Sequence, residues 1–230
     1  MFYVNMITQI YEISTPEEAI MAVEAGADHI GVLVGDGEFP RELSIDEAKE
    51  VFAVVPEGIK KVALSLARHL DPIENIITWL KPDIMHLGTV PDGLFPADIE
   101  ALRADNPDIE IMRSIPVVGE DAIGLARQYD GVADYLLLDT HLQGDDQIGA
   151  TGEIHDWNIS KAIVDSVNIP VILAGGLGPD NVVEAIKQVH PVGADSKTQT
   201  DREDSHEKDP DKVRRFIEEA KKTAKEEGLE

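Results

Sequence analysis

Short apolar stretches alternate with longer amphipathic ones along the whole chain. Residues 5–13 are apolar and β-branched and read as a first strand. Thr15-Pro16-Glu17-Glu18 then carries the marks of a helix start: a capping threonine, a proline at the first helical position and a glutamate three residues past the cap. That helix runs to Gly26, and residues 28–34 form a second strand before a polar loop with Gly35, Gly37 and Pro40. The same alternation predicts strands at 62–66, 83–87, 109–114, 134–139, 170–174 and 192–195. Helices are predicted to open at Ser44, at Asp71-Pro72, and near Pro96, Glu120, Asn158, Pro179 and Pro210. In the last of them Val213, Phe216, Ile217 and Ala220 mark one apolar stripe at helical spacing. Eight strand–helix units with short connections and no composition break predict a single α/β domain, a closed (β/α)8 TIM barrel spanning 1–230. No G-x-G-x-x-G turn follows the first strand, which argues against an open dinucleotide-binding sheet.

In such a barrel the working face lies at the C-terminal ends of the strands. The sixth strand, Tyr135-Leu136-Leu137-Leu138-Asp139-Thr140, is apolar on both faces and ends in an acid beside a glycine-rich loop, 144–152. Asp139 is therefore a candidate acid–base group, with a turn cap as the plain alternative. Leu173-Ala174-Gly175-Gly176-Leu177-Gly178-Pro179 follows the seventh strand, and Asp195-Ser196-Lys197-Thr198 ends the eighth. Loops at these two places are a frequent phosphate site, so Gly175, Gly176, Asp195, Lys197 and Thr198 are expected to bind substrate. If the inward face of the first strand includes Ile7 and Gln9, parity also points Tyr11 into the barrel, with Glu12 pointing away or lying on the rim. His86 and Arg113 arrive on strands four and five, and Arg41 on the second loop could clamp a carboxylate. The plain readings are that Tyr11 plugs the barrel, that His86 is a satisfied core histidine, and that Arg41 pairs with Glu42 or Asp46. His29 and His141 lack context, and no pair has the spacing of metal ligands.

Composition narrows the chemistry. With no cysteine among 230 residues, disulfides, a thiolate nucleophile and a zinc–thiolate site are excluded. A net charge of −25 disfavours nucleic acid and anionic membranes as partners, and an anionic substrate would need a local cationic pocket. Such acidity suits a salt-rich interior, where repulsion is screened, and equally a surface that only aids solubility. The absence of a basic, apolar leader and of any long apolar run leads us to expect a cytoplasmic protein.

Taken together, several segments resemble the phosphoribosylanthranilate isomerases of tryptophan biosynthesis. They are 15–28, Pro40-Arg41 with Leu43-Ser44, 136–140 with Gly149-Ala150-Thr151-Gly152 and Asp156-Trp157, and 172–177 with Pro179 and Asn181-Val182. The resemblance implies an Amadori rearrangement of an aminoaldose phosphate to an aminoketose phosphate without a cofactor, in a monomer or homodimer. It implies Asp139 as the acid, Arg41 as the clamp on the anthranilate carboxylate, Gly152 among the substrate contacts, and Gly175-Gly176 with the eighth loop as the phosphate site. That family's first strand ends Lys-Ile-Cys-Gly, its cysteine being the general base; this chain has Gln9-Ile10-Tyr11-Glu12. Its Gln-Leu-His-Gly becomes His86-Leu87-Gly88-Thr89, its Ser-Ser-Gly becomes Lys197-Thr198-Gln199, and Arg113 stands for a lysine. Tyr11, Glu12 or His86 would have to supply the base. The alternatives are a lyase or aldolase using Lys197 as a Schiff-base amine, and a non-catalytic phosphometabolite-binding barrel.

Overall fold

The computed structural model describes residues 6–140 and 154–229. Its elements run β1 (Ile7–Ile10), α1 (Pro16–Glu24), β2 (His29–Leu33), α2 (Ile45–Ala53), β3 (Lys60–Ser65), α3 (Leu70–Leu80), β4 (Ile84–Leu87) and α4 (Pro96–Asp105). They continue with β5 (Glu110–Pro116), α5 (Asp121–Gln128), β6 (Tyr135–Asp139), α6 (Trp157–Val164), β7 (Val171–Leu173), α7 (Val182–Val189), β8 (Gly193–Ser196) and α8 (Pro210–Glu227). All neighbouring strands pair in parallel, and β8 pairs back onto β1 to close the barrel, as the alternation predicted.

Local chemistry sets the element starts. The Thr15 hydroxyl accepts the Glu18 N–H, and Ser44 with Glu47 forms a reciprocal capping box. Asp156 and Asp209 cap α6 and α8 through their carboxylates. Most boundaries fall within a residue or two of expectation, and two move by three. Strand β1 stops at Ile10, and Glu12 turns the chain with φ 54°. Helix α7 begins at Val182 rather than near Pro179, because Asn181 first closes a turn. Its Oδ1 accepts the Gly178 N–H at 2.9 Å, and its Nδ2 donates to the Gly176 carbonyl at 3.0 Å. A 3₁₀ turn, Thr198–Thr200, also forms after β8, where no element was predicted.

Parity divides the core into two layers. Leu136 and Leu138 join the larger cluster between strands and helices, whereas Leu137 enters the inner plug with Tyr11, Val62, Ile84, Met112, Ile172 and Ala174. This explains why the sixth strand is apolar on both faces. Asp139 is the next inward position, at the mouth.

Candidate active site

At the C-terminal mouth, Asp139, Gly175, Gly176, Leu177, Asp195, Lys197, Thr198 and Gln199 line one cleft. The glycine pair has φ 78° and 64°, the left-handed region that L side chains avoid. A Cβ on Gly175 would lie 2.5 Å from Thr140 Oγ1 and 2.8 Å from His155 Nδ1, so only glycine lets this backbone pass so close to β6. A Cβ on Gly178 would come within 2.4 Å of Gln199 Cβ, and the loops after β7 and β8 thus form one packed wall.

Two carboxyls share this cleft. Asp139 Oδ1 accepts the Thr140 N–H at 2.7 Å. Desolvation nevertheless pushes the Asp139 carboxyl up to about 7, against the opposing pull of that hydrogen bond. Asp195 is buried, and its Oδ1 accepts from Gln9 Nε2 at 3.1 Å. Its carboxyl is pushed well above the usual range, first by desolvation and then by the nearby Asp139.

Tyr11 does point inward, as parity required, and it is engaged. Its hydroxyl lies 2.6 Å from His86 Nδ1, and His86 Nε2 lies 2.7 Å from Ser114 Oγ. Burial raises the Tyr11 phenol well above its ordinary value, with Asp195 adding to the shift, so it keeps its proton and donates it to Nδ1. The imidazole proton is thereby assigned to Nε2 and donated to Ser114. Burial, and then the Arg113 charge, depress His86 to about 3, so the ring is neutral. Tyr11 is therefore a poor general base, and His86 is the satisfied core histidine of the plain reading. Below them, His29 Nδ1 lies 3.0 Å from Gln9 Oε1.

A chain of ion pairs binds the loops after β1, β2 and β8. Arg41 Nε and Nη2 donate to the Glu12 carbonyl at 3.0 and 2.8 Å, and Nη2 also pairs with Glu18. Arg41 thus pairs with neither Glu42 nor Asp46; Glu42 accepts the Glu38 and Phe39 N–H groups instead. Glu12 Oε2 lies 3.2 Å from Lys197 Nζ, which is 3.6 Å from Asp201 Oδ2. Asp201 Oδ1 in turn meets the fully buried Lys208 Nζ at 2.5 Å. Glu12 is thus committed to a cation, and Lys197 to two acids.

One expected substrate contact moves elsewhere. Arg113 is fully buried, and its Nη1 donates to the Leu87 and Thr89 carbonyls at 2.8 and 2.6 Å. Its guanidinium lies 5.3 Å from the Tyr129 ring centroid. Met112 and Ser114 face inward on either side of it, so Arg113 faces the helices and not the mouth. Gly152 lies outside the described residues. Sequence reasoning did not single out Gln9 for its contacts, nor Ser114, His155, Asp201 or Lys208. His155 borders the Gly175 backbone and lies 2.7 Å, through Nε2, from Ser160 Oγ. A polar residue at an inward parity position was the available signal for Gln9 and Ser114. The others sit in loops, where parity says nothing.

Fold and site together define a (β/α)8-barrel protein whose glycine-framed cleft holds one half-buried and one buried carboxyl. Residues 8–219 match the family model described as N-(5'phosphoribosyl)anthranilate (PRA) isomerase. A relative of that name from Haloferax volcanii is 36% identical over 210 residues, covering 90% of each chain. One from Methanocella arvoryzae is 35% identical over 211 residues, covering 91% of this chain and 95% of the relative. The solved phosphoribosyl anthranilate isomerase of Thermotoga maritima superposes with a TM-score of 0.78 at 25% identity, covering 94% of this chain and 99% of that one. The chain belongs to the PRA isomerase family.

Proposed function

We propose that this protein isomerises N-(5'-phosphoribosyl)anthranilate to the corresponding aminoketose phosphate in tryptophan biosynthesis. The observation that carries this reading is the Asp139 carboxyl, raised to about 7 and set in one cleft with the Gly175–Gly176 backbone and Lys197. A carboxyl tuned near neutrality can protonate the sugar ring oxygen and open the ring. The left-handed glycine pair lets backbone approach a phosphate, and Lys197 adds a cation at the same wall. Nη1 of Arg41 has no hydrogen-bond partner among the described residues, and we assign that edge of the guanidinium to the anthranilate carboxylate. No helix among the described residues is long and apolar enough to cross a membrane.

The Schiff-base alternative is less well supported, because Lys197 is held by Glu12 and Asp201 rather than desolvated alone. Turnover of the phosphoribosyl substrate by purified protein, with rescue of a tryptophan auxotroph lacking the isomerase, tests the proposal. Asp139→Asn should lower kcat by about 10²–10⁴-fold. Soluble protein that gave neither turnover nor rescue would overturn it.

A further inference from the structure

We propose that Asp195 is the second catalytic group of this site: it shares a proton with Asp139 across the cleft and takes the sugar C2 proton. The inference rests on the isomerase reading. The residue at the place of the family's cysteine, Tyr11, keeps its proton and donates it in a hydrogen bond to His86, and Glu12 is held by Lys197. Asp195 remains, and geometry favours it. In the strand ladder Leu138 pairs with Leu173, and Leu173 with Ala194. One residue further on, Asp139, Ala174 and Asp195 stand in a row across β6, β7 and β8. Ala174, a member of the inner plug, stands between the two aspartates in that row, and both carboxyls line the same cleft. Asp195 is oriented by Gln9, a neutral amide where the family has lysine, so no cation on β1 fixes Asp195 as a permanent carboxylate. The other titratable groups felt by Asp195 are Glu12 and Lys208, with Tyr11 felt from the phenol side.

Two carboxyls in one poorly solvated cleft titrate as a pair, and the competent form carries one proton. Delivery of that proton from Asp139 to the ring oxygen breaks the sugar C1–O bond and leaves the C1=N iminium. Two like charges now face each other, and their repulsion makes the pair a stronger base when C2 must be deprotonated. The C2–H bond breaks, its electrons form C1=C2, the C1=N pair returns to nitrogen, and Asp195 takes the proton. The pair is again singly protonated. Ketonisation then moves the O2 proton off and adds one at C1, with no change in the charge of the pair.

Infrared titration tests the shared proton without substrate. Wild-type protein near pH 7 should show a protonated-carboxyl band; Asp195→Asn should leave only the part that Asp139 holds alone, and in Asp139→Asn the remaining band should titrate at lower pH. Absence of the band, or no downward shift in Asp139→Asn, overturns the proposal. In turnover, Asp195→Asn should lose kcat about 10²–10⁴-fold while KM changes little. It should also lose one limb of a bell-shaped pH profile; kcat within threefold of wild type overturns it. A wild type that turns over no phosphoribosyl substrate would instead sink the isomerase reading, and the infrared result would still decide the shared proton.

Discussion

At the scale of single residues, burial sets the chemistry. Asp139 carries a raised carboxyl value of about 7, so between roughly pH 4 and pH 7 the folded chain keeps a proton that the unfolded chain has released. Folding then takes up a proton, and stability falls as pH rises through that window. Asp139→Asn should therefore gain stability relative to wild type between pH 4.5 and pH 7.5; urea denaturation at the two values measures it, and a constant difference would contradict the assigned shift. His86 works the other way: depressed to about 3, it is neutral when folded and charged when unfolded below about 6.5, so its contribution is lost as pH falls. Tyr11 and Gly31 make a second test. A Cβ on Gly31 would lie 2.4 Å from the Tyr11 ring. Gly31→Ala should cost about 1–3 kcal/mol, and combining it with Tyr11→Ala should recover part of that loss, read as a non-additive double-mutant cycle.

At the scale of elements, the site is held by pairs that span loops. Tyr11 with His86 and Glu12 with Lys197 each join two positions that depart from the family's pattern, and each pair meets in space. Glu12 holds φ 54° where that pattern has glycine, which fits a backbone position built for glycine. The buried Lys208–Asp201 pair anchors the loop after β8, and Lys208 also donates to the Lys197 carbonyl at 3.0 Å. Lys208→Met leaves the buried Asp201 with only its longer contact to Lys197, so it should cost about 3–5 kcal/mol in denaturant melts, and adding Asp201→Leu should restore much of the loss. A Lys208→Met protein as stable as wild type would show the pair to be idle.

At the scale of the whole molecule, 45 acidic against 20 basic residues give a self-repelling surface. Raising NaCl from about 0.1 to 1 M shortens the screening length from about 10 to 3 Å, so the melting temperature should rise. A flat or falling melting temperature would show that surface repulsion contributes little.

The chain itself determined the number of strand–helix units, their order and, with Ile7 and Gln9 facing in, the inward parity of Tyr11. These depend on local periodicity and capping, and both are written in consecutive residues. The carboxylate that ends the sixth strand was legible for the same reason. Only the tertiary structure decided what each polar group faces. Arg113 turned to the helix layer, Arg41 found Glu18 rather than its neighbours in sequence, and Gln9 met Asp195 across 186 residues. Burial and pairing between distant strands set a group's proton affinity, and no local pattern encodes either. Asp139, legible from the start as an acid at a strand end, thus gained Asp195 as its neighbour only when the barrel closed.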